Sequence, residues 1–311
     1  MEIQSRSGFH EVDEKSKRKL FYSMYTPEDG IVTGTLLVIH GMQEHSGRYS
    51  ALAEYFAGKG FAVLTYDHQG HGKSIGADTE SGFFRLNQPH ELLISDAEHM
   101  SNLLNNRSQD VPHFVLGHSM GSFVTRCLLQ RSASSFGGAI IVGTGARLPG
   151  IGLLKSYFSI ANRLNPRRKP GFNHLFSHVN NMRFRRDRDF STTSWLSMNP
   201  DNRTAFEQDA LCGLPFSNNG YLGLFSLYEA ATSRYWFKNI PKSLPLLFVS
   251  GANDPIGDFG KGVRSTADIL KTAQFQDVSV QLYRDMRHEI LNESIRQEVF
   301  GDIHTWISAR Q

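Results

Sequence analysis

FVLGHSMGSFVTRCLL, residues Phe114 to Leu129, is the stretch that decides the fold of this chain. An apolar run leads into GHSMG, and a second apolar run with a different period leads out of it. HFVLG (His113 to Gly117) reads as a buried strand and SFVTRCLLQR (Ser122 to Arg131) as part of a helix that starts at the turn, so Ser119 stands where strand turns sharply into helix. Gly117 and Gly121 remove side chains where the two elements must pass closely. A serine held there projects from the C-terminal edge of a sheet, beside the free amides of a helix start that favour an anion. The five residues alone also fit a glycine-flanked turn. With a strand before and a helix after, they form the G-x-S-x-G turn that presents a nucleophile.

Outward from this turn, short apolar runs alternate with longer helical patterns. TLLVIH (Thr35 to His40), FAVLTYD (Phe61 to Asp67), GAIIVG (Gly138 to Gly143) and LPLLFVSG (Leu244 to Gly251) are almost continuously apolar. Such runs suit parallel strands covered on both faces. RKLFYSMY (Arg18 to Tyr25) alternates instead, and Val278 to Tyr283 supplies a last strand. Helices are predicted over Ser50 to Gly58, Glu91 to Asn105, Ser119 to Arg131, Gly260 to Thr272 and Ser294 to Ile307. The reading is an α/β fold with a mostly parallel central sheet and helices on both faces. Between Arg147 and Pro241 the strand rhythm stops, which predicts an inserted, mainly helical lid. The core is accordingly expected at 1–146 and 241–311 and the lid at 147–240.

Composition narrows the function. The 311 residues carry a net charge of +3 and no zinc-finger spacing or basic arm, which argues against nucleic acid as a partner. Cys127 and Cys212 are the two cysteines, far apart and outside any CxxC pattern, as expected of buried thiols in a reducing, cytoplasmic setting. No apolar leader stands at the N-terminus and no run approaches the ~20 apolar residues that span a bilayer, so a soluble chain is expected. The charge is unevenly spread. From Arg147 to Asp189 ten basic residues face two acids, Asp187 and Asp189. A basic lid of this kind could meet an anionic membrane surface peripherally; a solvated face is the alternative, and the simpler one.

A serine hydroxyl needs a base, and the base needs a partner that fixes its tautomer. Among 13 histidines, His288 in VQLYRDMRHEI is best placed, in a loop between the last strand and the last helix. Asp254 in LLFVSGANDPIGDFG follows a buried strand and is the expected acid. Asp258 suits a cap or turn, and Asp285 an exposed strand end. The chain order Ser119, Asp254, His288 is that of α/β-hydrolases. The oxyanion hole would then use the backbone amides of Met120 and of Met42, in the loop VIHGMQEHSGRY. A rival reading takes Asp67, His68 and His71 of DHQGH, with His40 and His45, as metal ligands. The glycines at 70 and 72 favour a tight turn, and no metal is expected.

Five stretches, HGMQEHSGRY, DHQGHGKS, GHSMG, GANDPIGDFGKGV and RHEILNE, together resemble the monoacylglycerol lipase and lysophospholipase group of the α/β-hydrolases, in that family's order from about Thr35 to Ile307. The resemblance implies hydrolysis of single-acyl-chain esters through an acyl-enzyme on Ser119, with Asp254 as acid, His288 as base, Met42 and Met120 as oxyanion donors, and no cofactor. Glu44 and Arg48 fall where the family keeps a charged pair near the site; a structural ion pair is the alternative. Gln43 stands where those lipases commonly have glycine. Tyr221, Leu224, Phe225, Tyr228 and Tyr235 recur at helical spacing, either lining an acyl channel or packing the lid. A short-chain carboxylesterase or an aminopeptidase of the same fold is the enzymatic alternative, and a non-catalytic ligand-binding homologue the other. Headgroup, chain length and oligomeric state are left open.

Overall fold

A computed structural model describes residues 2–13, 17–28, 30–76 and 80–311. The chain runs through β1 (Ile3–Asp13), β2 (Arg18–Pro27), β3 (Gly34–Ile39), α1 (Ser50–Ala57), β4 (Phe61–Tyr66), α2 (Pro89–Asn105), β5 (His113–His118), α3 (Met120–Ser132) and β6 (Gly138–Val142). Four helices follow without a strand: α4 (Ile151–Leu164), α5 (Phe172–Asn181), α6 (Pro200–Gln208) and α7 (Asn218–Ala231). The sheet then resumes with β7 (Leu246–Gly251), α8 (Lys261–Thr272), β8 (Val278–Tyr283) and α9 (Arg296–Ser308).

The strands form one sheet in the order β1-β2-β4-β3-β5-β6-β7-β8. β1 pairs antiparallel with β2 and β2 with β4, and every later pair is parallel. The alternating run at Arg18 is therefore the antiparallel strand, and the continuous apolar runs are the parallel ones. β3, β4, β5, β6 and β7 are buried along their whole length. Two apolar layers cover the sheet. One holds Leu37, Leu64, Val115 and Ile141 against α2, α3 and α8. The other holds Leu36, Val63, Leu116 and Val142 against α1 and α9. The alternation of neighbours between layers is the pleat of period two.

Three differences from the sequence reading stand out. β1 has no counterpart in it, because its residues are mostly exposed and few are apolar. The 147–240 stretch carries α4 to α7, yet α7 packs on α2 and α3 and places Tyr221, Leu227 and Ala231 in the main core. Leu246 rather than Leu244 starts β7; Pro245 precedes it and cannot donate to a ladder.

Candidate active site

Ser119 sits between β5 and α3 with φ 54° and ψ −118°, a backbone conformation that side chains other than glycine rarely adopt. Its amide donates to the carbonyl of Val142 at 2.9 Å, which ties the turn to β6. The flanking glycines are required by contact. A Cβ on Gly117 would lie 2.2 Å from the carbonyl oxygen of Gly121, and one on Gly121 would lie 2.1 Å from that of Ile39. Side chains there would push α3 off the sheet and move the serine.

His288 and Asp254 come from loops at the same sheet edge. Nε2 of His288 lies 2.8 Å from Oγ of Ser119, and Nδ1 lies 3.0 Å from Oδ2 of Asp254. Asp254 is fully buried and also accepts from the amide of Ile256 at 2.8 Å and the hydroxyl of Ser250 at 3.1 Å. Burial alone would raise its carboxyl, but the charge of His288 and these hydrogen bonds outweigh it and hold the group below its ordinary value. Asp258 has φ 47° at a turn on the cavity wall, and Asp285 faces solvent beside Arg284. Neither touches His288.

Met42 and Met120 both border the cavity above Ser119. Among the described residues neither backbone amide has a hydrogen-bond partner, so both are free to donate. Gln43 adopts φ 60°, the left-handed conformation that a glycine in its place would take without strain. Its side chain donates to Oδ1 of Asn173 on α5 at 3.1 Å, and its carbonyl accepts from the amide of Gly213 at 2.8 Å. The loop thus keeps its glycine-like shape and gains a bridge to the inserted helices.

Glu44 and Arg48 belong to a buried network. Oε1 of Glu44 accepts from the amide of Gly41 at 2.6 Å, from the hydroxyl of Tyr49 at 2.7 Å and from Nδ1 of His118 at 3.2 Å. Arg48 reaches Oε2 of Glu44 at 3.4 Å and Oε2 of Glu289 at 2.5 Å. Glu44 touches the cavity; Arg48 stands behind it and does not. His118 makes no bond to Ser119. Its Nε2 lies 3.1 Å from the carbonyl oxygen of His288, the loop that carries the base.

The cavity over Ser119 measures about 610 Å³ and has apolar walls from Ile151 and Leu154, Phe172 and Val179, and Leu224, Phe225 and Tyr228. Of the tyrosines expected there, two lie elsewhere. Tyr221 is buried behind the wall, against Phe158 and Phe172, and donates to Oδ1 of Asn173 at 2.9 Å. Tyr235 lies past the end of α7 and is exposed. Helical spacing shows that residues share a face, not which of them reaches a cavity at its end.

Sequence reading missed Trp195, whose ring covers that of His288 at 5.1 Å between centroids. It also missed Arg287, which donates to the carbonyl of Ser194 at 2.6 Å and pairs with Asp187. Both stitch the His288 loop to the 187–197 segment, and neither has a local sequence signal.

The DHQGH stretch is a turn. Asp67 accepts from the amides of Ser46 and Lys73, each at 2.7 Å. The rings of His40, His68 and His71 are buried against one another, and burial lowers all three below the ordinary histidine value. His45 lies apart, with ligand-type atoms of Asp209 and Cys212 within 4.8 Å. Its nitrogens are already engaged: Nδ1 accepts from the amide of Gly47 and Nε2 faces Asp209 at 2.8 Å.

Residues 30–295 match the family Hydrolase_4, described as serine aminopeptidase, S33. The chain belongs to this family. As a Hydrolase_4 member it is 26% identical to the monoacylglycerol lipase of Mycolicibacterium smegmatis (strain ATCC 700084 / mc(2)155), over 93% of this chain and 92% of that one. It is also 26% identical to human monoglyceride lipase, over 93% of this chain and 87% of that one. The solved structure of a highly thermostable carboxyl esterase from Bacillus coagulans superimposes with a TM-score of 0.85, at 26% identity, covering 100% of this chain and 99% of the other. The α/β-hydrolase fold expected from the sequence is the one observed, and this Hydrolase_4 chain is a hydrolase.

Proposed function

We propose that the chain hydrolyses carboxylic esters of single-acyl-chain lipids, monoacylglycerols foremost, through an acyl-enzyme on Ser119. The observation that carries this reading is the line Ser119–His288–Asp254 at the floor of an apolar cavity of about 610 Å³. Ser119 Oγ attacks the ester carbonyl carbon while Nε2 of His288 takes its proton, and Asp254 fixes the Nδ1–H tautomer. The amides of Met42 and Met120 donate to the oxyanion. His288 then protonates the departing alcohol oxygen, and afterwards takes a proton from the water that releases the fatty acid. Apolar walls take up the acyl chain, and the polar groups around Glu44 face the end where a glycerol would leave.

The 147–240 segment acts as a lid, and it suits a lipid surface. Four side chains of α4 at successive turns point to solvent: Leu153 is 78% exposed, Tyr157 61%, Ile160 62% and Leu164 82%. Leu154, between them, lines the cavity. An apolar stripe of this size marks a docking face. The 147–189 stretch that carries it is rich in basic residues, of which Arg163, Arg168, Arg186 and Arg188 make no ion pair among the described residues, whereas Arg167 pairs with Glu80 and Lys155 with Glu229. The occupant this favours is an anionic membrane or micelle surface holding the substrate, touched peripherally from the cytoplasm.

A substrate panel tests the proposal. Monoacylglycerols of graded chain length, lysophospholipids, short p-nitrophenyl esters and aminoacyl amides are compared by kcat/KM. Monoacylglycerols should lead, with aminoacyl amides turned over at least about a thousandfold more slowly. Faster turnover of aminoacyl amides would make the chain an aminopeptidase, and turnover of none would leave it a binding protein.

A further inference from the structure

A second cavity, of about 940 Å³, opens between the end of α7, the outer face of α8 and the loop after β6. Five cationic side chains line it, Arg126, Arg147, Arg234, Lys261 and Arg264, against one acid, Asp268. None of the five forms an ion pair among the described residues. Four are exposed, and alone they would be an ordinary solvated face.

Arg126 differs. It is 1% exposed and has no carboxylate beside it. Nη1 donates to the carbonyl of Gly145 at 2.9 Å and to the hydroxyl of Thr144 at 3.3 Å, while the face of the guanidinium lies over Trp236 at 4.3 Å. A guanidinium carries five N–H donors. Nε is buried with no partner, and no bond to Nη2 is formed among the described residues. Buried charges are ordinarily paired. Here the pairing group is missing from the chain itself, and Arg126 lines a cleft whose other charges are nearly all positive.

We infer that this cleft is a binding site for a phosphate dianion, free or carried as a phosphomonoester, with Arg126 at its base and Arg234 and Arg264 at its rim. The forked donors of arginine match phosphate oxygens two at a time. Burial lowers Arg126 to about 10, and a bound dianion would reverse that shift by giving it the countercharge it lacks. The site is separate from Ser119, although Ala146 and Arg147 border both cavities.

Calorimetric titration of the full chain with inorganic phosphate, at constant ionic strength in chloride, tests the assignment. One saturable site is expected, weakened about tenfold by Arg234→Gln with Arg264→Gln. Both residues are exposed, so that pair decides the matter even if Arg126→Met, which should abolish binding, fails to fold. Parallel titrations with a glycerol phosphate and with phosphatidylcholine vesicles carrying phosphatidic acid identify the source. Whichever probe binds most tightly, and loses that tightness in the double variant, carries the natural group. Absence of saturable binding for all three probes overturns the inference. So does saturable binding that the double variant leaves unchanged.

Discussion

His118 holds its Nε2 3.1 Å from the carbonyl oxygen of His288 and its Nδ1 3.2 Å from Oε1 of Glu44. Both are contacts to acceptors, which a protonated ring meets by donating from each nitrogen, while the hydroxyl of Tyr49 at 2.8 Å from Nδ1 offers a donor to the neutral ring. Burial would lower His118, but the hydrogen bond and charge of Glu44, with the charge of Glu289, outweigh it and raise the ring above 6.5. Glu44 moves the opposite way. Burial would raise it, and His118 and Arg48 hold it well below the usual carboxylate range. The contribution of His118 to stability is present below about pH 6.5 and fades as pH rises through its raised value, whereas that of Glu44 fades only in acid. Urea unfolding across about pH 5 to about pH 9 should therefore show an alkaline loss of stability that Glu44→Gln removes. An unchanged alkaline slope in that variant would show that His118 is not the group responsible.

Deleting His118 should separate positioning from binding. His118→Ala leaves Glu44 short of a countercharge, at a cost of about 3 kcal/mol in unfolding free energy. It should lower kcat roughly tenfold to a hundredfold while changing KM less, since the His288 loop loses its support and the apolar walls of the cavity stay.

The acid is tested by comparing three carboxylates. Asp254→Asn should lower kcat on the order of 10⁴-fold, because the amide favours the wrong tautomer of His288. Asp258→Asn and Asp285→Asn, neither of which touches His288, should keep most of the activity. Steady-state kinetics on a soluble short ester give the comparison, and loss in either of the latter with retention in Asp254→Asn would move the acid elsewhere.

Gln43 joins a strained backbone to a useful side chain. Gln43→Ala keeps φ 60° and loses the bond to Asn173, so it should destabilise by about 1 kcal/mol. Gln43→Gly loses the same bond but relieves the left-handed strain, and should be more stable than the alanine variant by about 1 kcal/mol. Thermal unfolding ranks the two.

The α4 stripe gives a lid prediction. Leu153→Gln with Ile160→Gln should weaken vesicle binding and slow turnover of monoacylglycerol in anionic vesicles, leaving a soluble short ester unaffected. Salt should act the same way on the wild type, since the Debye length falls from ~10 Å at 0.1 M to ~3 Å at 1 M. Equal salt responses on vesicle and soluble substrates would leave the lid a simple cover.

The parallel core could be read from sequence because buried strands between helices are continuous apolar runs, and Gly117 and Gly121 flag the one turn that must be tight. β1 could not, since an exposed edge strand carries no apolar signal. α4 was not marked off within the lid for a different reason: Ile151 and Phe158 are buried while Leu153 and Leu164 face solvent, so its wide apolar face does not point to a single buried side. The placing of Ser119, Asp254 and His288 followed from strand ends. Trp195 and His118 act through contacts between segments far apart in sequence, which one-dimensional patterns do not carry.

Labelling with a fluorophosphonate, followed by mass mapping, tests the central claim most directly. Wild-type chain should gain one adduct, on Ser119, with loss of monoacylglycerol hydrolysis in step, and Ser119→Ala should take no label and hydrolyse on the order of 10⁴-fold more slowly. An adduct on another residue, or hydrolysis that survives Ser119→Ala, would contradict the account.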